Sequence, residues 1–230
     1  MAIVIRRLIC LVISRALACL LFCGTEPIAI LFNHIGRHSM LSVYLPDWNS
    51  QGILPPILPG KGGTSPQRSP YQIDLFMLLD RFASSQERKH ILEGFLNFRH
   101  MLHTLGITGG FQWLDGSFLE NIELLTNRPP NDMDVVTFYE LPTGIRQADL
   151  LKKADDKLEH DNLKERYSID AYLCELGHPF DAGQARRLTY WYSMWSHRRD
   201  GLWKGFVQVD LAPTHDGKAR EMLLTLGGRP

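Results

Sequence analysis

Cysteine is nearly missing from the body of this chain. Cys10, Cys19 and Cys23 fall within the first 23 residues, and only Cys174 stands beyond them. That is too few for a disulfide framework, and no paired Cys-x-x-Cys offers a metal site. The body therefore reads as a protein of a reducing compartment and is expected in the cytoplasm. An excess of charge of one sign is missing as well. Lysine plus arginine equals aspartate plus glutamate, 25 each, so nothing global draws the protein to nucleic acid or an anionic membrane. That balance argues against a processive polymerase and leaves a small-substrate transferase open. Long apolar runs are absent: Arg15 interrupts the stretch from Leu8 to Phe22. The remaining run is too short to span a bilayer, and the arginine spoils the core of a secretory signal. There is no serine-hydrolase elbow, zinc-binding histidine pattern or Rossmann glycine fingerprint.

What is present suits one domain with a sizeable core: 230 residues, 44% of them hydrophobic and 22% charged. Residues 1–39 are expected to lie upstream of the true start at Met40, with a signal or anchor segment and an extra helix as the alternatives. Setting aside Arg6, Arg7, Arg15, Arg37 and Glu26 leaves 21 basic against 24 acidic residues, a mildly negative body. Residues 40–70 are rich in proline, glycine and serine and are predicted to form an extended arm that packs Trp48, Ile53 and Leu54 onto the domain. Gly60 to Gly63 lacks the Gly-Lys-Ser/Thr ending of a phosphate loop and reads as a linker. Residues 71–211 are predicted to be the domain, and 212–230 a C-terminal tail.

Ser69-Pro70 is expected to cap a first helix, and Ser84 with Glu87 a second that runs to Gly106. His90, His100 and His103 on the second helix lack metal spacing and are expected at the surface or core edge. Beyond Gly110 short strands and helices alternate. Strands are predicted at 111–114, 133–138, 168–173 and 205–211, and helices at 117–125, 144–160 and 182–195. Such alternation implies a mixed α/β (α+β) sheet flanked by helices. Cys174 is expected to be a buried core residue.

Two short segments carry chemistry. In Trp113-Leu114-Asp115-Gly116-Ser117-Phe118 a strand meets a helix. Gly116 lets the backbone come close to a ligand, and the N–H groups that open the next helix, with the Ser117 hydroxyl, can meet phosphate oxygens. In Pro130-Asn131-Asp132-Met133-Asp134-Val135, two aspartates two residues apart project to one sheet face, roughly 6.5–7 Å apart along the backbone. Carboxylates about 5 Å apart repel by roughly 3 kcal/mol at an effective dielectric near 20. A cation relieves that repulsion, and magnesium suits oxygen ligands and keeps positions for phosphate and water. In the blander reading Asp132 caps a turn and Asp134 is solvated.

Strand, Gly-Ser, short helix and Asp-hydrophobic-Asp-hydrophobic together resemble the nucleotidyltransferase superfamily, which includes DNA polymerase beta and small antibiotic and toxin-antitoxin transferases. Gly116 and Ser117 match its Gly-Ser, and Asp132 and Asp134 its metal-binding pair. The gap between them, residues 118–131, is slightly longer than usual, and Asn131 stands where minimal members often have serine. Gly52-Ile53-Leu54-Pro55-Pro56, the two segments above and Arg199-x-Gly201-x-x-Lys204-Gly205 also look like a functionally uncharacterised bacterial family of nucleotidyltransferase-like proteins. This likeness spans about Met40 to Leu211.

The resemblance implies a nucleotidyltransferase fold with an N-terminal arm and helical pair. It also implies a two-metal magnesium site and transfer of a nucleoside monophosphate from a nucleoside triphosphate to an acceptor, which could be a protein, RNA or a small molecule. Superfamily members take a third carboxylate from a neighbouring strand. Asp170 and Asp210 are the candidates, and Asp170 is preferred because a helical crossover can bring its strand beside that of Asp134. Arg199 and Lys204 are candidates for the triphosphate, although their loop reads equally as a solvated charged one. The aromatic residues Tyr190 to Trp203 are expected to pack in the core. The rival reading is an antitoxin-like module that keeps the nucleotide pocket and acts through a partner protein.

Overall fold

The computed structural model describes residues 44–177 and 179–227; the expectations for residues 1–39 lie outside these. In chain order the elements are β1 (Tyr71–Gln72), α1 (Leu75–Phe82), α2 (Gln86–Thr104), β2 (Gly110–Asp115), α3 (Ile122–Thr126), β3 (Met133–Tyr139), α4 (Gln147–Ala154), α5 (His160–Tyr167), β4 (Ile169–Glu175), α6 (Ala182–Trp195), β5 (Val207–Asp210) and α7 (Asp216–Gly227). The strands form one mixed sheet in the order β1-β5-β2-β3-β4. β2 pairs antiparallel with β5 and β3, whereas β1 with β5 and β3 with β4 run parallel.

Alternation along the strands divides the sheet into two faces. Leu114, Val135, Ile169, Val207 and Val209 point to one face and are all but excluded from solvent. They pack under α2, which contributes Leu92, Phe95 and Phe98 to the same core. Each such side chain contributes about 1.5–3 kcal/mol by burial. The polar groups on this face are satisfied in a chain. Arg99 of α2, fully buried, donates to Gln112, whose amide donates to Thr137 of β3. The opposite face carries Trp113, Val136 and Phe138 and is partly covered by α6, whose Tyr192 and Trp195 meet Trp113 and Phe206 edge-on.

The arm packs as the sequence predicts. Ile53 and Leu54 are buried, and the Trp48 indole donates to the Leu119 carbonyl. Three boundaries differ from expectation. Ser69 does not cap a helix. Its hydroxyl accepts from the Phe206 amide, and the chain enters edge strand β1; Asp74 caps α1 instead, accepting from the Met77 amide. The stretch predicted as one helix over 144–160 breaks at Asp155, whose φ of 54° leaves the right-handed helical region, and restarts as α5. The expected tail folds as α7 against α1 and α2, where Asp216 forms a salt bridge with Arg99.

Candidate active site

Three carboxylates stand in one row across the sheet. In register, Asp115 of β2 faces Asp134 of β3, and Asp134 faces Asp170 of β4. Direct partners share a face, and neighbouring strands lie about 4.8 Å apart. The row is therefore dense in negative charge. Asp132 precedes β3 by one residue and reaches the same end of the sheet through Lys164 of α5. The Lys164 ammonium lies 2.7 Å from Asp132 Oδ2 and 4.0 Å from Asp170 Oδ2. Asp210 does not join the row. It pairs with Phe111 at the far end of β2 and accepts from the Ala212 amide, closing the turn after β5.

Gly116 fits the row by lacking a side chain. Its backbone has φ +84° and ψ −170°, a region essentially reserved for glycine. A Cβ built there would stand 2.8 Å from Asp134 Oδ2. Gly116→Ala is thus expected to lower stability by about 1–3 kcal/mol through backbone strain and to displace the Asp134 carboxylate as well. Denaturant unfolding and triphosphate binding measure the two effects separately. Wild-type stability in the variant would show that the turn tolerates a side chain.

After Gly116 the chain forms a short 3-10 turn over Ser117–Leu119 where a longer helix was expected, and α3 follows only at Ile122. The turn's own bonds are donated by Leu119 and Glu120, so the N–H groups of Ser117 and Phe118 lie outside its ladder. Arg88, fully buried on α2, holds this turn in place. Its guanidinium donates to the carbonyls of Phe118 and Glu120 at 2.6 and 2.7 Å and pairs with Glu123. Its chain neighbours Glu87 and Lys89 are charged, and only its spacing, three and four residues before Ile91 and Leu92, sets it on the apolar stripe of the helix.

Lys204, expected to meet the triphosphate, lines the cleft with its charge already engaged. It is buried, with Nζ 3.0 Å from Asp115 Oδ1 and 3.0 Å from Glu120 Oε1. Burial works against the lysine's charge, but the two carboxylates prevail and hold its pKa above the ordinary value. The Asp115 carboxyl is pushed up to about 7 by burial, which outweighs the pull of Lys204. Asp134 rises to about 6, first through burial and then through the charges of Asp170 and Asp132. His160 Nε2 of α5 donates to Asp170 Oδ1 over 2.7 Å, and that contact raises the imidazole pKa.

These groups floor an open cleft of about 880 Å³. Gly116, Ser117 and Arg199 line it as expected, and Arg128 joins them unpredicted. Arg198 spends its charge on Asp200 at 2.7 Å, whereas Arg128 and Arg199 take part in none of the ion pairs among the described residues. Tyr172 and Trp191 form an aromatic wall, with ring centroids 4.7 Å apart. Tyr190 and Trp203 are exposed, not core residues, while Cys174 is buried as predicted. His103 sits at the core edge, against the Leu211 carbonyl.

The fold and site together define a mixed α/β protein with a carboxylate row at the mouth of a cleft. The chain belongs to a family of unknown function, DUF6932, whose profile matches residues 46–210. No curated protein and no solved structure matches it. No helix among the described residues is long and apolar enough to cross a membrane.

Proposed function

We propose that this protein has a nucleotidyltransferase fold and transfers a nucleoside monophosphate from a nucleoside triphosphate, with magnesium, to the hydroxyl of an acceptor. The observation that carries the reading is the in-register row Asp115-Asp134-Asp170 with Gly116 against the Asp134 carboxylate. Like charges placed this close are costly unless a ligand or reaction uses them.

The donor set fits a hard cation. Asp134 forms no salt bridge among the described residues, and burial first, then the charges of Asp170 and Asp132, raise its pKa. Asp132 and Asp134 would hold magnesium through oxygen atoms alone. They are not a finished cage: among the described residues no three acidic, histidine or cysteine side chains converge as a metal site, and Lys164 pairs with Asp132 meanwhile. Bound magnesium supplies charge neutralisation on the triphosphate oxygens.

The chain's own groups do the rest. The Gly116-Ser117 turn lets the phosphates approach the backbone, and Arg128 and Arg199 clamp their outer oxygens. Lys204 stays behind, fixing Asp115 and Glu120. Asp170, oriented by His160, accepts the proton of the acceptor hydroxyl. That oxygen then bonds to the α-phosphorus as the bond to the β-phosphate oxygen breaks, and pyrophosphate leaves.

Thermal unfolding with each of the four triphosphates, with and without magnesium, tests the binding half. At a hundredfold excess over Kd, a ligand of the folded state adds about 2.7 kcal/mol. A magnesium-dependent rise in melting temperature is expected for at least one triphosphate, and no rise with any of them would overturn the reading. The partner-acting module has one observation in its favour: Lys204 and Lys164 already pair with Asp115 and Asp132. On that reading triphosphate binds and no group is transferred.

A further inference from the structure

α6 carries a surface that triphosphate binding does not use. Its buried side, with Leu188, Tyr192 and Trp195, packs on the sheet and core. Its other side presents Arg186, Tyr190 and Met194 at successive four-residue steps, with Arg187 and Trp191 beside them toward β4. Tyr190 and Met194 are 55% and 53% exposed. These are large apolar groups that solvent-facing helix positions do not ordinarily hold. Trp191 and Met194 line the cleft beside Tyr172, two residues from Asp170 on the same sheet face, whereas Arg186 and Tyr190 lie outside the lining. From Arg186 to Met194 the stripe extends about 12 Å, so its occupant reaches beyond a nucleotide seated in the cleft.

We infer that this stripe binds the end of a single-stranded nucleic acid and delivers its terminal hydroxyl to Asp170. This rests on the proposed nucleotidyl transfer for its acceptor role and on the stripe alone for binding. Aromatic faces set one turn from a pair of arginines take bases by stacking and phosphates by charge, without a sequence code. The chain's net charge is zero, so the attraction is local to α6 and its following loop. Single strands are favoured over duplex because paired bases hide the faces that Tyr190 and Trp191 would stack on. They are favoured over an acidic peptide because a peptide needs the arginines and leaves the exposed aromatic rings unused.

The test is fluorescence anisotropy of labelled 12-nucleotide single-stranded RNA and DNA, a matching duplex and a poly-glutamate 12-mer, against the full chain. A single strand should bind at least tenfold more tightly than duplex or peptide, with log affinity falling against log salt at a slope of about −2 to −3. RNA and DNA arms show which sugar is preferred. Tyr190→Ala, at an exposed position, should weaken single-strand binding about tenfold. Arg186→Gln should weaken it severalfold and flatten the salt slope by about 0.7. Both should leave triphosphate binding unchanged. Asp132→Asn with Asp134→Asn should do the reverse, losing triphosphate and keeping the oligonucleotide, which separates failure of this inference from failure of the functional reading. Equal binding of peptide and single strand, or full oligonucleotide affinity in Tyr190→Ala, overturns the inference.

Discussion

Replacing Asp132 and Asp134 together by asparagine should abolish magnesium-dependent triphosphate binding and leave the fold as stable as before or more so. Asp134 sits in the carboxylate row with a pKa raised to about 6, first by burial. An acid whose folded pKa lies above its unfolded value binds more protons folded than unfolded between the two. Stability therefore falls as pH rises from about 4 to about 6, by about 3 kcal/mol for a shift of this size. Asparagine removes that penalty. Asp132 pairs with Lys164, but the lysine is 50% exposed, so losing that contact costs about 0–1 kcal/mol. The balance favours the variant at pH 8 without metal, and the advantage should vanish near pH 4. Melting curves at the two pH values and titration with magnesium triphosphate check both halves. Unchanged magnesium-dependent affinity in the variant would remove these residues from the site.

Asp170→Asn is the complementary case. Asparagine keeps the volume and can still meet His160 Nε2, which stands 2.7 Å from the native carboxylate oxygen. It cannot take a proton. Triphosphate binding should persist while transfer falls by a hundredfold or more, since general-base catalysis is worth about 10²–10⁴. Asp210→Asn should leave transfer near wild type, because Asp210 lies at the far end of β2 closing a turn. An active Asp170→Asn beside an inactive Asp210→Asn would reverse the assignment.

The parts of the site that strand alternation governs were legible in the sequence. Asp132, Asp134 and Gly116 belong to local patterns, and Asp170 follows from its place in mid-strand beside a crossover. What the sequence hid depends on pairing between distant segments. Lys164 and His160 reach the row only because the predicted long helix breaks at Asp155 and α5 restarts over β4. The engagement of Lys204 was hidden too, since nothing local shows that Asp115 and Glu120 enclose it. Arg88 looked like an ordinary helix charge and instead anchors the Gly116-Ser117 turn. The signal for α7 was present: Ala219, Met222, Leu223 and Leu226 recur at helical spacing. Arg99, which fixes the helix through Asp216, lies 117 residues away.

Nucleotidyl transfer is tested most directly by where the label goes. The protein is incubated with magnesium and a triphosphate labelled at either the α- or the γ-phosphorus, together with cellular RNA, protein and small-molecule fractions as acceptors. The account predicts that α-label becomes covalently attached to one acceptor fraction, that γ-label is released as pyrophosphate, and that both outcomes disappear with Asp170→Asn. Transfer of γ-label to an acceptor, or no transfer of α-label to any fraction or to a partner protein under conditions where the triphosphate is bound, would contradict it.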